Sequence, residues 1–239
     1  INRIEGLDYI REENGWLKIG ALAREASLER SDLVRSRYPL LADTCRSVAD
    51  PQVRNLATLG GNLSHADPAN DHPAAMLAYG AQVVITGPEG SRMSPVEQFF
   101  TGPFESALQH GELLTEICIP VPQMGSAGAY QKFERRVGDF ATAAVAVQLR
   151  MDPDGTCAEA AIGLTNVGLT PIKAKAAGDV LVGRRPDDEV IRQAAQLAAE
   201  AAEPMDDQRG TEEYKRSLVK TLTVRALRTA LARAGGGVQ

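Results

Sequence analysis

The chain has 239 residues, of which 44% are apolar and 24% charged, the balance of an ordinary globular protein with room for a real core and for two compact units. A net charge of −5 argues against a nucleic-acid partner, which would normally bring a basic face. No apolar run approaches the roughly 20 residues that span a bilayer, and three cysteines (Cys45, Cys118, Cys157) are too few and too scattered for a disulfide framework or a metal cluster. A reducing, cytoplasmic setting is therefore expected.

The opening "INRIEGLDYI" has no initiator methionine and no signal-like pattern, and reads as the middle of a longer protein whose first segment is missing. "GWLKIGAL" (15–22) predicts a short strand, with Asn14-Gly15 as the turn before it. "SDLVRSRYPLLADTCRSVA" has helical spacing interrupted at Pro39, so two helices are expected. The next segment, "ATLGGNLSHADPANDHPAAML" (57–77), leads into a helix expected to begin near Asp71, carry Pro73 in its first turn and stop at Gly80. "AQVVITG" predicts a buried strand and "PEGS" a turn. In "GELLTEICIPVP" (111–122), alternation puts Leu113, Thr115, Ile117 and Ile119 on one face.

"QMGSAG" (123–128) breaks the composition and reads as a linker. Beyond it "AYQKFERR", "TAAVAVQLRM" and "CAEAAIGLTNV" predict three strands, the last two joined by the hairpin turn "DPDG" (152–155). Two helices close the chain. The first, over about 187–203, should bury Val190, Ala194, Leu197, Ala198 and Ala201. The second, from about Thr211, should bury Leu218, Val219, Leu222, Ala226 and Ala230. The glycine tail at 235–237 is expected to be disordered.

Within 57–77, Gly60 and Gly61 favour close approach of a ligand to the main chain. Consecutive N–H groups there would form a concave anion site, with Thr58 and Asn62 adding neutral hydrogen-bonding groups suited to a pyrophosphate. A carboxylate at Asp71 would be repelled by a diphosphate, so Asp71 is expected to cap its helix or accept bonds from sugar or ribityl hydroxyls. The bland alternative, a tight turn, stands beside this reading, because the spacing is neither that of a P-loop nor that of a Rossmann fingerprint. His65, His72 and His110 match no metal motif and read as surface or helix-start residues. Asp67 and Asp71 read as turn and cap residues, Arg135 and Arg136 as a solvated strand end, and the cysteines as small buried hydrophobes. No nucleophile–base set is present, which disfavours a hydrolase.

"ADPQVRNLATLGGNLSHADPANDHPAAMLA" resembles the second flavin-binding motif in the FAD-binding (medium) subunits of the molybdenum hydroxylases, the xanthine dehydrogenase family. The similarity is greatest to the medium subunit of aerobic carbon monoxide dehydrogenase. "KFERRVGDFATAAVAV", "IGLTNVGLTPIKA" and "EPMDDQRGTEEYKRSLV" resemble the C-terminal domain of the same subunit, in the same order.

The resemblance implies an α+β fold with an FAD-binding domain over 1–122 and a C-terminal domain over 125–234 built on a three-stranded antiparallel sheet with helices. It implies FAD contacts from Val48, Ala49, Thr58, Leu59, Gly60, Gly61, Asn62, His65, Asp71, Leu114, Tyr130 and Lys132, and no catalytic or metal-binding residue on this chain. Thr58 to Asn62 would lie along the pyrophosphate, Asp71 at the ribityl or ribose hydroxyls, and Tyr130 or Lys132 near the isoalloxazine. The family's first flavin motif, of the type A-G-G-x-S, does not occur in these residues and is expected before Ile1.

The implied function is electron transfer. Molybdopterin on a large subunit and [2Fe-2S] clusters on a small subunit would feed the flavin, which would pass electrons to an external acceptor. The implied assembly is a cytoplasmic dimer of heterotrimers, associated with the inner membrane face only through partners. Carbon monoxide is the expected substrate of the complex, with an N-heterocycle or an aldehyde as the alternative. A flavin-free structural subunit and a stand-alone flavin enzyme are the rival classes.

Overall fold

The computed structural model describes residue 1 and residues 4–235. It is α+β, with two antiparallel sheets on either side of a central buried helix. Positions 236 and 237 of the expected glycine tail lie outside the described residues.

The first sheet has five strands in the order β1 (Ile10–Glu13), β2 (Trp16–Gly20), β7 (Leu113–Pro120), β3 (Gln82–Gly87), β4 (Gly90–Pro95). Asn14 and Gly15 both take positive φ, 52° and 80°, as a tight hairpin turn between β1 and β2 requires. Helices α1 (Glu25–Arg30), α2 (Asp32–Arg37), α3 (Pro39–Ser47), α4 (Pro51–Arg54), α5 (Leu59–His65) and α6 (His72–Tyr79) lie between β2 and β3. Ser31 caps α2 by accepting from the Val34 N–H, and Pro39 opens α3 at its first turn, where no N–H is needed. A short ribbon of β5 (Phe100–Gly102) and β6 (Glu105–Ser106) precedes β7.

Alternation in β7 breaks where the sequence predicted continuity. The register against β3 shifts between Val84 and Ile85, so that Val84 pairs with Glu116 but Ile85 pairs with Leu114. This bulge at Thr115 turns Leu114 into the core beside Ile117 and Ile119, while Leu113 is 37% exposed.

The second sheet runs β11 (Ile172–Lys173), β10 (Cys157–Thr165), β9 (Ala143–Met151), β8 (Ser126–Phe133). It therefore has four strands where three were expected; the added strand is only two residues long, too short for a periodic signal. β8 begins at Ser126, inside the stretch read as a linker. The turn between β9 and β10 forms at Asp152–Gly155 as expected, with Gly155 at φ 85°. A short helix α7 (Lys175–Asp179) follows, then α8 (Asp188–Ala201) and α9 (Glu212–Ala234), capped by Asp187 and Thr211. The stripe that α8 buries is rotated from the expected one, since Ile191 and Ala195 are buried while Leu197 is only partly covered. On α9, Leu218 is likewise only partly covered, and Leu227 is buried instead.

Strand β9 is covered on both faces. Val145, Val147 and Leu149 join the core made with α8 and α9, while Ala144 and Ala146 join the core of the first unit. All eight residues of α6 are buried because this helix packs between the two sheets. The contact is close: a Cβ at Gly163 of β10 would lie 2.1 Å from the Ala74 carbonyl oxygen of α6. The two units thus share an element, and α6 carries Asp71 at its head into their junction.

Candidate functional site

The glycine segment forms the start of α5 rather than a turn. Thr58 is the N-cap, its hydroxyl accepting from the Gly61 N–H at 3.0 Å. Gly60 is needed for packing, since a Cβ there would meet the Ala21 Cβ at 2.5 Å. At Gly61 a Cβ would meet only the Thr58 hydroxyl, at 2.8 Å. Gly61 is exposed, so the main chain is bare at that point.

The expected nest of free N–H groups is not formed. Leu59 and Gly60 donate to the carbonyls of Ala23 (3.2 Å) and Ala21 (3.1 Å), and Asn62 donates to the Thr58 carbonyl (2.9 Å). The local helix and the adjoining β2–α1 connection consume every donor from Leu59 to Asn62. What remains for a ligand is side-chain chemistry. Thr58 keeps its own hydroxyl proton, and the Asn62 amide oxygen is buried with no hydrogen-bond partner.

Asp71 departs from its expected capping role. It lies in helical conformation at the head of α6 and makes no side-chain cap bond. Its two oxygens instead accept from the Tyr130 hydroxyl (2.6 Å) and the Lys132 ammonium (3.0 Å), both on β8. Burial pushes the Asp71 carboxyl above the usual carboxylate range, and the adjacent Lys132 charge and the Tyr130 bond oppose that shift. Burial and the Asp71 charge also push the Tyr130 phenol up. Asp67, by contrast, behaves as expected, accepting from the Ala69 N–H in a turn.

Lys132 also donates to the Ser47 carbonyl at 2.9 Å and lies 3.2 Å from Glu134. Ser47 leads directly into Val48 and Ala49, and Ala49 holds the left-handed conformation at φ 42°. Arg54 fixes this corner: its guanidinium donates to the Val48 (2.9 Å) and Ala49 (3.1 Å) carbonyls and pairs with Glu29. Gly138 packs against the same corner, where a Cβ would come within 3.2 Å of the Ala49 carbonyl. Asn70 ties the glycine segment to Asp71, its amide donating to the Asn62 carbonyl at 2.7 Å.

Val48, Ala49, Asn62, Asp71, Tyr130 and Lys132 are thus connected through a continuous set of bonds, with Thr58 to Gly61 at one end. Other expected residues sit elsewhere. The Leu59 and Leu114 side chains are core residues, 0% and 6% exposed. His65 is at the far end of α5, its ring against Phe104 at 5.4 Å. Arg135 and Arg136 lie beyond the end of β8, lining a cavity of about 480 Å³ with Gly138, Asp139 and Arg209. His72 heads α6 as expected but is wholly buried rather than at the surface, its Nε2 2.7 Å from Glu25. The three cysteines are buried and free, as expected.

Sequence reasoning missed Arg54, Asn70 and the Glu25–His72 pair. Arg54 had one available signal, a basic residue one turn into a helix that starts at Asp50-Pro51, directly after the Val48–Ala49 corner. The others depend on contacts across many residues and left no local trace.

The arrangement is that of two units sharing α6, with a polar cluster at their junction, and comparison with known proteins defines its class. Residues 1–122 match the family described as the FAD binding domain in molybdopterin dehydrogenase, and residues 128–230 match the CO dehydrogenase flavoprotein C-terminal domain. The chain belongs to the family of FAD-binding medium subunits of the molybdenum hydroxylases. It is 43% identical over 225 residues to the carbon monoxide dehydrogenase medium chain of Afipia carboxidovorans, covering 94% of this chain and 78% of that one. It is 34% identical to the 6-hydroxypseudooxynicotine dehydrogenase complex subunit alpha of Paenarthrobacter nicotinovorans, covering 98% and 79%. Among solved structures, carbon monoxide dehydrogenase from Hydrogenophaga pseudoflava lacking the Mo-pyranopterin moiety matches with a TM-score of 0.94 at 42% identity, covering 98% of this chain and 81% of that one.

The residues present fit such a nucleotide. A buried amide oxygen without a donor costs about 1–3 kcal/mol, which a ligand hydroxyl near Asn62 would offset. The glycine at 61 leaves the space that a side chain would fill. No helix among the described residues is long and apolar enough to cross a membrane.

Proposed function

We propose that this chain is the FAD-carrying electron-transfer subunit of a molybdenum hydroxylase complex, working in the oxidation of carbon monoxide. The observation that carries the reading is the exposed main chain at Gly61, set between the Thr58 hydroxyl and the unpartnered Asn62 amide oxygen and joined through Asn70 to the Asp71–Tyr130–Lys132 cluster. FAD bound there would supply the redox chemistry for relaying electrons between iron–sulfur clusters on a small subunit and an external acceptor.

The chain's own residues bind and orient. The Thr58 hydroxyl proton and the Asn62 amide hold the phosphate and sugar oxygens with neutral groups. Arg54 keeps the Val48–Ala49 main chain fixed beside the nucleotide by holding both carbonyls. Lys132 and Tyr130 take up the Asp71 charge, which keeps an unpaired carboxylate away from a diphosphate. A large molybdenum subunit and a small iron–sulfur subunit are the partners in this reading, in a dimer of heterotrimers. Identity to a carbon monoxide dehydrogenase chain over most of both lengths supports that substrate. The lower identity to the subunit of a 6-hydroxypseudooxynicotine dehydrogenase complex supports it by contrast. The same reading sets the complex in the cytoplasm, in keeping with three free cysteines.

The test is the FAD content of the purified complex in Thr58→Val and Asn62→Ala. Both variants should lose FAD by tenfold or more in affinity while keeping their partner chains. Undiminished FAD in both would overturn the assignment of these residues.

A further inference from the structure

Glu25 and His72 come from the heads of α1 and α6, Cys45 from the last turn of α3, and all three are 0% exposed. Each offers one ligand atom, and those atoms lie within 4.8 Å of one another. The Glu25 Oε2 and His72 Nε2 atoms are 2.7 Å apart, but Glu25 Oε1 and His72 Nδ1 are buried with no hydrogen-bond partner. A carboxylate and an imidazole wholly withdrawn from water are normally satisfied at every polar atom, so this cluster is incomplete as it stands. Nothing in the nucleotide site uses it.

We propose that Glu25, Cys45 and His72 form a buried binding site for a divalent zinc-like cation that staples α1, α3 and α6 together. The donor set mixes sulfur, nitrogen and oxygen, which suits zinc better than the all-oxygen preference of calcium or magnesium. Charge also favours it, because a thiolate and a carboxylate together neutralise a dication in a dry interior. Glu25 binding through both oxygens would complete four-coordination and give its orphaned Oε1 a partner.

The displacements required are small. Ligand bonds of about 2.0–2.3 Å set neighbouring donor atoms of a tetrahedral site roughly 3.3–3.8 Å apart. The Glu25–His72 contact therefore opens by about half an ångström or a little more, and Cys45 Sγ moves inward by a similar order. Binding replaces the Glu25–His72 hydrogen bond with coordinate bonds. It releases the Cys45 thiol proton and clears the proton from between Glu25 Oε2 and His72 Nε2, with one proton kept on His72 Nδ1, leaving thiolate, carboxylate and neutral imidazole. The proposal does not depend on the flavin reading.

The test is elemental analysis of the full-length protein, with whatever chains accompany it, made in zinc-supplemented medium so that metal is present during folding. A parallel preparation in cobalt-supplemented medium supplies an optical probe. About one zinc per chain is expected, with a cobalt–thiolate absorption band in the second preparation. Cys45→Ser should abolish that band, and His72→Gln should lower the zinc content at least tenfold. Folded wild-type protein with no zinc and no thiolate band would overturn the proposal, and so would zinc retained undiminished in both variants. If neither variant folds, the two wild-type measurements decide.

Discussion

The Lys132 ammonium meets the Asp71 carboxylate at 3.0 Å, with only 6% and 8% of the two side chains exposed. The pair joins β8 of the second unit to the head of α6, the helix that both units share. Removing one member strands the other as an uncompensated buried charge, which typically costs about 3–5 kcal/mol. Lys132→Met should therefore destabilise the protein by about 3 kcal/mol in urea unfolding. The double variant Lys132→Met/Asp71→Asn should recover much of that loss, because it removes the charge along with its partner. Equal destabilisation in the single and double variants would show that the pair is not the source.

Gly60 and Gly61 are neighbours with different jobs, and alanine separates them. Gly60→Ala drives a methyl to 2.5 Å from the Ala21 Cβ and should cost about 1–3 kcal/mol. Gly61→Ala disturbs only the Thr58 cap, worth about 1 kcal/mol, and gains about as much in helix propensity. Its stability should stay within about 1 kcal/mol of wild type while its FAD content falls. Thermal unfolding paired with flavin quantitation distinguishes the two.

The sequence made the local punctuation of this fold legible. The turn at Asn14-Gly15, the helix start at Pro39, the hairpin at Asp152–Gly155 and the stop at Gly80 each follow from one or two residues whose backbone preferences are strong. The bulge at Thr115 and the two-residue β11 were not legible, because a register shift is decided by the partner strand. The same limit applies to the site. Thr58 capping its own helix is a three-residue relationship, whereas Asp71 finds Tyr130 and Lys132 some sixty positions away and Glu25 finds His72 at a separation of 47. Pattern placed Asp71 near the head of its helix, but only the packing of α6 between the sheets decided that its carboxylate would face lysine.

Ala49 is held at φ 42°, a conformation that costs a residue with a Cβ about 1–2 kcal/mol. Ala49→Gly should relieve this strain and raise stability by up to about 1 kcal/mol. Arg54→Ala should do the opposite, costing about 2–3 kcal/mol through lost charge-assisted bonds to the Val48 and Ala49 carbonyls and an unpaired Glu29. Denaturant midpoints for the two variants should move in opposite directions, and movement in the same direction would refute this account of the corner.

Alkaline pH should destabilise the fold. Burial and the neighbouring Glu116 push the Cys118 thiol up to about 12, whereas an unfolded thiol titrates near 8.5. Between those values the folded state holds a proton that the unfolded state has released, so stability falls as pH rises. The contribution is intact below the unfolded thiol value and is lost progressively toward 12. Tyr9, Tyr38 and Tyr79, all pushed up chiefly by burial, add to the loss above about pH 10. Denaturant midpoints at pH 7, 9 and 10.5 should decline steadily, and Cys118→Ala should flatten the first part of that decline. A midpoint independent of pH over this range would contradict the burial argument.

The measurement that bears most directly on the central claim is the nucleotide and subunit content of the natively purified protein. It combines a visible absorption spectrum, identification of any released nucleotide, and mass spectrometry of the accompanying chains. The account predicts a coloured protein, with iron–sulfur and flavin absorption, that releases FAD and arrives with a molybdenum subunit and an iron–sulfur subunit. A colourless chain, purified with its natural N-terminus intact and without either partner, would contradict it.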